Sequence, residues 1–127
     1  MKRSILSALG EQLEYHPRHF NCSNKHLTSL EGAPSFINGN FYCVENRLES
    51  LHNIHKQIKR ITGYANLRSN PILSHVLGVL QIDDLYRIYL DNLFVETILN
   101  KHLEGDRDIF ACQEELIEAG LEKFAQL

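Results

Sequence analysis

The segment FNCSNKHLTSL at residues 20–30 returns as FYCVENRLESL at residues 41–51, at an offset of 21. The two segments share five residues at equivalent positions, and no gap is needed to align them. Five identities at a single offset are hard to obtain by chance. The chain therefore carries an internal repeat, and a period of about 20 residues is typical of stacked structural units.

The spacing within each repeat predicts a strand followed by a turn. Phe20 and Cys22 lie two residues apart and so share one face of a strand, and Leu27 and Leu30 return to the same interior. One such unit cannot bury its apolar side alone, whereas stacked units share a continuous core. We therefore expect a narrow parallel sheet whose apolar repeat positions are buried. These positions are Phe20, Cys22, Leu27, Leu30, Phe41, Cys43, Leu48 and Leu51.

Two further units follow less regularly. The third, at 65–72, aligns with the second at an offset of 24, which places three extra residues within 52–60. The fourth runs over 82–92, after an apolar segment at 77–82 that we expect on the opposite side of the core. Asn46 and Asn70 occupy the same repeat position. We expect their side chains to bond backbone groups that are left unpaired where each strand turns.

Helical patterns flank the repeats and complete a single domain. Apolar residues at helical spacing after Ser4, a candidate N-cap, predict an N-terminal cap helix within 1–18. The repeats occupy 19–92, and two apolar stripes predict a C-terminal helical cap over 93–127. Gly120 is either a close contact in the last helix or its early end. The two stripes are Phe94, Val95, Ile98, Leu99 and Leu103, and then Ile109, Cys112, Leu116, Ile117, Leu121 and Phe124.

Composition indicates one soluble domain with an uneven distribution of charge. The 127 residues include 43% apolar and 23% charged side chains, and no apolar run is long enough to span a membrane. Residues 1–82 carry nine Lys or Arg and five acids, a net of +4, whereas 83–127 carry four and eleven, a net of −7. This split indicates two differently solvated faces, or one face that docks a charged partner.

Cysteine usage favours a cytoplasmic protein. The chain has three cysteines, and all of them fall at predicted interior positions, where reduced thiols act as small apolar groups. The first apolar patch is broken by Gly10 and Glu11, too soon for the core of a signal peptide.

Three stretches resemble short leucine-rich repeat proteins encoded by bacteria and tailed phages. LTSLEGAP at 27–34 and GNFYC at 39–43 are similar to their repeats, and CQEELIEAGL at 112–121 is similar to the tail that follows them. The resemblance covers most of the chain from Phe20 onward, and the chain departs from the pattern at the third unit. It implies an α/β fold, a short leucine-rich repeat solenoid of about four coils with helical ends. It also implies binding to proteins.

The sequence gives only weak signals for a catalytic or metal-binding site. His52 and His55 form a His-x-x-His pair near which Cys43 and His26 could lie, but zinc needs four ligands held together. Core packing accounts for Cys22 and Cys43, so we expect no metal and no cofactor. Nucleophilic Cys-His catalysis needs an exposed thiolate, and no phosphate-binding glycine loop or serine motif is present. We therefore expect no enzyme activity.

The outward positions of the predicted strands are the best candidates for a binding site. Tyrosine and arginine often anchor interfaces, although the tyrosines could equally form a ladder that only stabilises the sheet. The candidate binding residues are Asn21, Tyr42, Tyr64, Asn66, Arg68, Arg87, Tyr89 and Asp91.

Two functions are compatible with these features. The first is a non-enzymatic protein-binding module that uses the strand surface, a candidate phage-type inhibitor or modulator of a host or defence protein. The alternative is a regulator of a nucleic-acid-associated complex. It would act through the basic cluster Lys56, Lys59 and Arg60, or through the acidic C-terminal helix as a phosphate mimic. The small basic excess makes nucleic acid the less favoured partner, and no membrane partner is expected.

Overall fold

Parallel strands in two sheets form the body of the structure, a computed structural model that describes residues 15–127. Strands β1, β3 and β5 form one sheet, and β2, β4, β6 and β7 form the other. The predicted α/β class with parallel strands is confirmed. In chain order the elements are β1 (Tyr15–His16), β2 (Phe20–Asn21), β3 (Phe36–Ile37), β4 (Phe41–Tyr42), α1 (Ile54–Gln57), β5 (Arg60–Ile61), β6 (Tyr64–Asn66), a 3-10 helix (Leu77–Gln81), β7 (Arg87–Tyr89), α2 (Leu93–Glu104) and α3 (Ile109–Glu118).

The strand register reproduces the offsets read from the sequence. Phe20 pairs with Phe41 at an offset of 21, Phe41 pairs with Ala65 at 24, and Ala65 pairs with Ile88 at 23. The three-stranded sheet has the same offsets of 21 and 24 between its strands. This second sheet was not predicted, because two-residue strands are too short to show an alternating pattern. Helix α1 occupies the region where the sequence placed the three extra residues.

One hydrophobic core joins both sheets and the C-terminal helices. The predicted apolar repeat positions are all buried, which confirms that part of the repeat interpretation. Leu77, Val79 and Leu80 of the 3-10 helix are buried as well, as predicted for 77–82. The buried repeat positions are Phe20, Cys22, Leu27, Leu30, Phe41, Cys43, Leu48 and Leu51.

Two buried asparagines bond the backbone where the strands turn, as predicted. Asn46 Oδ1 accepts a hydrogen bond from Leu27 N–H at 3.0 Å, and its Nδ2 donates to Cys22 O at 3.0 Å. Asn70 repeats this arrangement in the next unit, with bonds of 3.1 and 2.8 Å to backbone groups of the preceding unit. Each amide therefore joins one unit to the unit before it.

Helix α2 pairs the open edge of β7 with side chains in place of a further strand. Asn100 Oδ1 accepts from Ile88 N–H at 2.8 Å, and Asn100 Nδ2 donates to Ile88 O at 2.9 Å. Glu96 Oε1 accepts from Leu90 N–H at 2.7 Å. Glu96 and Asn100 are buried and lie four residues apart, on one side of the helix. An open edge invites pairing with another chain, and these two side chains occupy it.

The buried stripe of α2 differs from the predicted one. Phe94 was expected to be buried but is 78% exposed, and Ile98 is only partly buried. The prediction was wrong because Glu96 and Asn100 face β7. That requirement rotates the helix by about one residue, roughly 100°. The residues that α2 buries are Val95, Glu96, Leu99, Asn100 and Leu103.

Helix α3 ends earlier than the apolar stripe indicated. Gly120 has φ +77, a left-handed conformation that ends helices, and a Cβ built on it would have no described atom within 4 Å. Of the two alternatives for Gly120, the early end is therefore correct. Leu121 and Phe124 contact the core from the segment after the helix. Ile117 was expected to be buried but is 51% exposed, because the helix is buried through Cys112 and Leu116.

Strand β1 lies within residues 1–18, the range for which the sequence predicted an N-terminal cap helix. Residues 4–14 of that helix lie outside the described residues. The described part of the range pairs with β3 and so belongs to the three-stranded sheet.

Replacing Leu48 with alanine should lower the free energy of unfolding by about 2–5 kcal/mol, through lost burial and a cavity. Leu48 is 1% exposed. Chemical denaturation of the wild type and Leu48→Ala measures the difference, with Glu49→Ala, an exposed neighbour, as the control. Equal losses in the two variants would contradict the core assignment.

Replacing Asn100 with leucine should leave the N–H and C=O of Ile88 buried without partners, at a cost of about 1–3 kcal/mol for each group. Hydrogen exchange should show faster exchange of the Ile88 amide. Thr97→Ala, an exposed position on the same helix, is the control. A change in stability of Asn100→Leu within about 0.5 kcal/mol, typical of a surface substitution, would contradict the edge-pairing role.

Candidate functional site

The outward side of the four-stranded sheet brings the candidate binding residues together. Asn21, Tyr42, Asn66 and Tyr89 pair in register and form one row across the four strands. Tyr64 and Arg87 are paired in the row before it. Arg68 and Asp91 lie two positions after Asn66 and Tyr89 and so belong to the next outward row along the strands. We call this surface the strand face.

Tyrosine rings contact one another along the strand face. The rings of Tyr42 and Tyr64 meet edge to face at 5.7 Å between centroids, and those of Tyr64 and Tyr89 meet at 5.4 Å. Tyr86 also contacts Tyr64, at 6.4 Å. Tyr42, Tyr64 and Tyr89 are half-buried. The ladder interpretation therefore describes the ring packing, and the same rings still offer surface to a partner.

Asn40 bonds both Tyr42 and Tyr64 at the centre of the strand face. Asn40 Nδ2 donates to the Tyr42 hydroxyl at 3.0 Å, and Asn40 Oδ1 accepts from Tyr64 N–H at 2.9 Å, which sets the orientation of the amide. The hydroxyls of Tyr42 and Tyr64 lie 2.9 Å apart. The bond from Tyr64, and after it the bond from Asn40, lowers the pKa of Tyr42. Its bond to Tyr42 raises the pKa of Tyr64 to about 12.

His19 lies beside this group with one defined tautomer. Asn40 N–H donates to His19 Nδ1 at 2.7 Å, so Nδ1 is the acceptor and Nε2 carries the proton. The His19 ring contacts the Tyr42 ring edge-on at 5.9 Å. We call His19, Asn40, Tyr42 and Tyr64 the donor cluster.

Two glycines leave the space that the donor cluster needs. A Cβ on Gly63 would lie 2.0 Å from Asn40 Oδ1, and a Cβ on Gly39 would lie 2.7 Å from His19 Nδ1. A larger residue at either position would displace one of the two side chains. Gly39 also has φ +151, which favours glycine.

His19 and Asn40 were missing from the sequence-based site. Both precede the first phenylalanine of a repeat and occupy equivalent positions at the repeat offset of 21, so the alternation that placed Asn21 outward also placed them on that side. Asn40 was interpreted only as part of a turn, and the bonds that join it to His19 and Tyr42 depend on the packing of two units.

Arg68 and Arg87 are engaged at the C-terminal end of the strand face. Arg68 lies 3.1 Å from Glu96 Oε1, and its guanidinium is 5.2 Å from the centre of the Tyr89 ring. Arg87 lies 5.6 Å from the same ring and 3.6 Å from Glu104. Glu96 is the carboxylate that pairs the edge of β7. Arg68 therefore contributes to the fold here, and its role as an anchor stays a prediction.

The side chains of the other polar candidates accept hydrogen bonds from backbone N–H groups. Asn21 accepts from Ser23 N–H at 2.9 Å, and Asn66 accepts from Arg68 N–H at 3.1 Å. Asp91 accepts from Ser69 N–H at 3.0 Å. These bonds hold the side chains against the backbone. Asn21 and Asp91 are exposed, but they offer fewer free acceptor atoms to a partner than the sequence indicated.

The histidines near α1 do not assemble a metal site within residues 15–127, where no group of three or more His, Cys, Asp or Glu could hold an ion. His52 contacts the ring of His75 at 4.9 Å. His55 Nδ1 is buried and has no hydrogen-bond partner among the described residues. Burial, and then the charge of Lys56, lowers the pKa of His55, which favours its neutral form.

The three cysteines are free thiols in the interior, as predicted. A hydrogen bond with Cys43, together with burial, raises the pKa of Cys22. Burial, reinforced by the charge of Glu115, raises the pKa of Cys112 to about 12. Cys22 and Cys112 are therefore protonated at neutral pH, and neither presents a thiolate nucleophile.

Both charged clusters of the alternative function lie at the surface. Arg60 pairs with Asp84 at 2.5 Å and lies over the ring of Phe36, whereas Lys56 and Lys59 are exposed. The pairing of Arg60 leaves two cations in the basic cluster.

Helix α3 carries the acidic cluster. Its Glu115 binds Lys101 at 2.6 Å and His102 at 2.9 Å. Lys101, and then His102, lowers the pKa of Glu115. Glu114 and Glu118 are exposed on the same helix. Two carboxylates of α3 thus remain available to a partner.

Comparisons with protein-family models, with curated proteins and with solved structures gave no match to this chain. No helix within residues 15–127 has both the length and the apolar character needed to cross a membrane.

Titration of the tyrosine rings should show Tyr42 ionising below the ordinary value of about 10 and Tyr64 at about 12. The sign follows from the bonds, because Tyr64 and Asn40 stabilise the Tyr42 phenolate. NMR of labelled tyrosine rings measures both values. Asn40→Ala should raise the pKa of Tyr42, whereas Asn38→Ala on the same turn should not. Ionisation of Tyr64 before Tyr42 would contradict the assignment.

Proposed function

We propose that this chain is a short leucine-rich repeat solenoid of about four coils, and that it is a non-enzymatic protein-binding module whose strand face is the binding surface. Four strands in one parallel sheet, paired at offsets of 21, 24 and 23, support the coil number. The observation that carries the function is the gathering of the candidate binding residues on one side of that sheet.

The remaining surfaces of the sheet support this choice. Helix α2 occupies the edge of β7, and the inward side chains form the core. The outward side of the sheet is not covered by another described element, and its three tyrosine rings are half-buried. Aromatic side chains held in place supply contact area at little entropic cost. A partner that docks there orders little backbone, because the sheet already holds the rows in register.

The nature of the partner rests on the resemblance of 27–34, 39–43 and 112–121 to bacterial and phage repeat proteins. On that basis the partner is a host or defence protein, which the chain inhibits or modulates. Three free, buried thiols support a cytoplasmic setting. The alternative, a regulator of a nucleic-acid-associated complex, would use the acidic surface of α3.

Capture experiments with matched variants should separate these surfaces. Tyr42→Ala and Tyr89→Ala remove rings from the strand face, and each should reduce retention of the specific partner from host lysate by fivefold or more, the size expected for an interface anchor. Quantitative mass spectrometry of proteins bound to the immobilised wild type and variants measures retention, and thermal unfolding checks that each variant is folded.

The double variant Glu114→Ala/Glu118→Ala is the control on α3, and it should retain the partner at the level of the wild type. A partner lost with the α3 variant and kept by both tyrosine variants would overturn the proposal and favour the acidic surface. Retention of the partner by all variants would also overturn it, since neither ring would then contribute.

A further inference from the structure

One hydroxyl proton of the donor cluster has no hydrogen-bond acceptor within the described residues. Two phenols joined by a single hydrogen bond share one proton, so the other O–H of Tyr42 and Tyr64 remains. Asn40 Nδ2 donates to Tyr42 and Asn40 Oδ1 accepts from Tyr64 N–H, and no bond from a phenol O–H to Asn40 is found. Within the described residues this remaining O–H has no acceptor. Either phenol oxygen can donate the shared bond, and the lowered pKa of Tyr42 beside the raised pKa of Tyr64 favours Tyr64 as that donor and Tyr42 as the carrier of the free O–H.

His19 adds a second donor beside the first. Its Nδ1 accepts from Asn40 N–H, so the proton of the neutral ring is on Nε2. No hydrogen bond from Nε2 is found among the described residues, and His19 is exposed. The ring of His19 contacts the ring of Tyr42. The cluster therefore presents an N–H and an O–H side by side on an open surface.

The carboxylates on the strand face and on the neighbouring helix α2 have partners away from the donor cluster. Asp91 accepts from a backbone N–H, and Glu96 and Glu104 pair with Arg68 and Arg87 at the C-terminal end of the face. The described part of the basic half, residues 15–82, has seven Lys or Arg and three acids, a net of +4. A donor-rich site in a cationic half complements an anionic acceptor.

We propose that the donor cluster binds the side-chain carboxylate of an aspartate or glutamate on the protein that docks on the strand face. The proposal rests on the function proposed above and adds the chemistry of one contact. A carboxylate has two oxygens and can serve two neighbouring donors, whereas an amide carbonyl has one. Its charge makes each bond stronger than a bond to a neutral acceptor.

The cluster is ordered before the partner arrives. Asn40 bonds three of its neighbours through its own N–H, Nδ2 and Oδ1, and the glycines at 39 and 63 leave room for that arrangement. Binding a carboxylate therefore orders few side chains, which is the condition under which polar contacts yield affinity and specificity.

The test uses capped glycine pentapeptides whose central residue is Asp, Asn or phosphoserine. NMR follows the ring signals of His19 and Tyr42 in labelled wild-type protein. The Asp peptide should shift both rings saturably, and the Asn peptide should bind at least tenfold more weakly. Equal binding of the Asn peptide, tighter binding of the phosphoserine peptide, or no saturable shift with the Asp peptide would overturn the proposal.

Matched variants locate the contact. Tyr42→Phe should weaken binding of the Asp peptide at least fivefold, and His19→Ala should weaken it as well. Tyr15→Phe, at an exposed tyrosine of β1 in the other sheet, should change it by less than twofold, since that hydroxyl lies outside the strand face. Thermal unfolding shows whether each variant is folded. If Tyr42→Phe is unstable, His19→Ala decides, because its ring lies on the exposed side.

The two proposals can fail separately. If the Asp peptide binds the cluster but the partner captured from lysate is insensitive to Tyr42→Ala and Tyr89→Ala, the strand-face function fails, and only the binding of carboxylates by the donor cluster stands. If those variants lose the partner but the Asp peptide does not bind, the carboxylate contact fails and the strand-face function stands.

Discussion

Pairing of backbone groups where each strand ends is the constraint on which this structure depends. Strands of two or three residues make few ladder hydrogen bonds, so the turns after them carry donors and acceptors into the core. Asn46 and Asn70 meet this requirement between units, and Asn100 and Glu96 meet it at the last strand. A buried amide that both donates and accepts can replace a neighbouring strand, which is why stacking can end at β7.

That solution divides the strand face into two chemically different ends. At the C-terminal end, Glu96 bonds Leu90 N–H and Arg68 together, so a side chain of the face is tied to the closing helix. The ring of Tyr89 lies beneath two guanidinium groups there. At the N-terminal end, within the described residues, no carboxylate meets the donor cluster. Ion pairs within the protein thus engage the arginines at the C-terminal end of the strand face, whereas hydrogen-bond donors without acceptors among the described residues remain at the N-terminal end.

The three cysteines and His55 belong to the interior of the protein. Burial keeps Cys112 protonated, and a bond with Cys43 has the same effect on Cys22. His55 is held neutral by burial beside two lysines. His19 differs because it is exposed and bonded at one ring nitrogen only. The distinction between scaffold and site therefore follows from burial and hydrogen bonding, since the residue types are the same.

Periodicity in the sequence determined the buried repeat positions, the offsets of 21 and 24, the asparagine bonds and the row of outward residues. These features depend on local alternation and on equivalent positions in successive units, which a single chain displays directly. The tertiary structure alone decided the second sheet, the rotation of α2 that exposes Phe94, and the pairing of Arg68 with Glu96. It also decided the bonds that join Asn40 to His19 and to the Tyr42 hydroxyl, and the bond between the two phenols. Each of these depends on which groups far apart in the chain come within hydrogen-bonding distance, and the hydropathy pattern of the sequence does not contain that information.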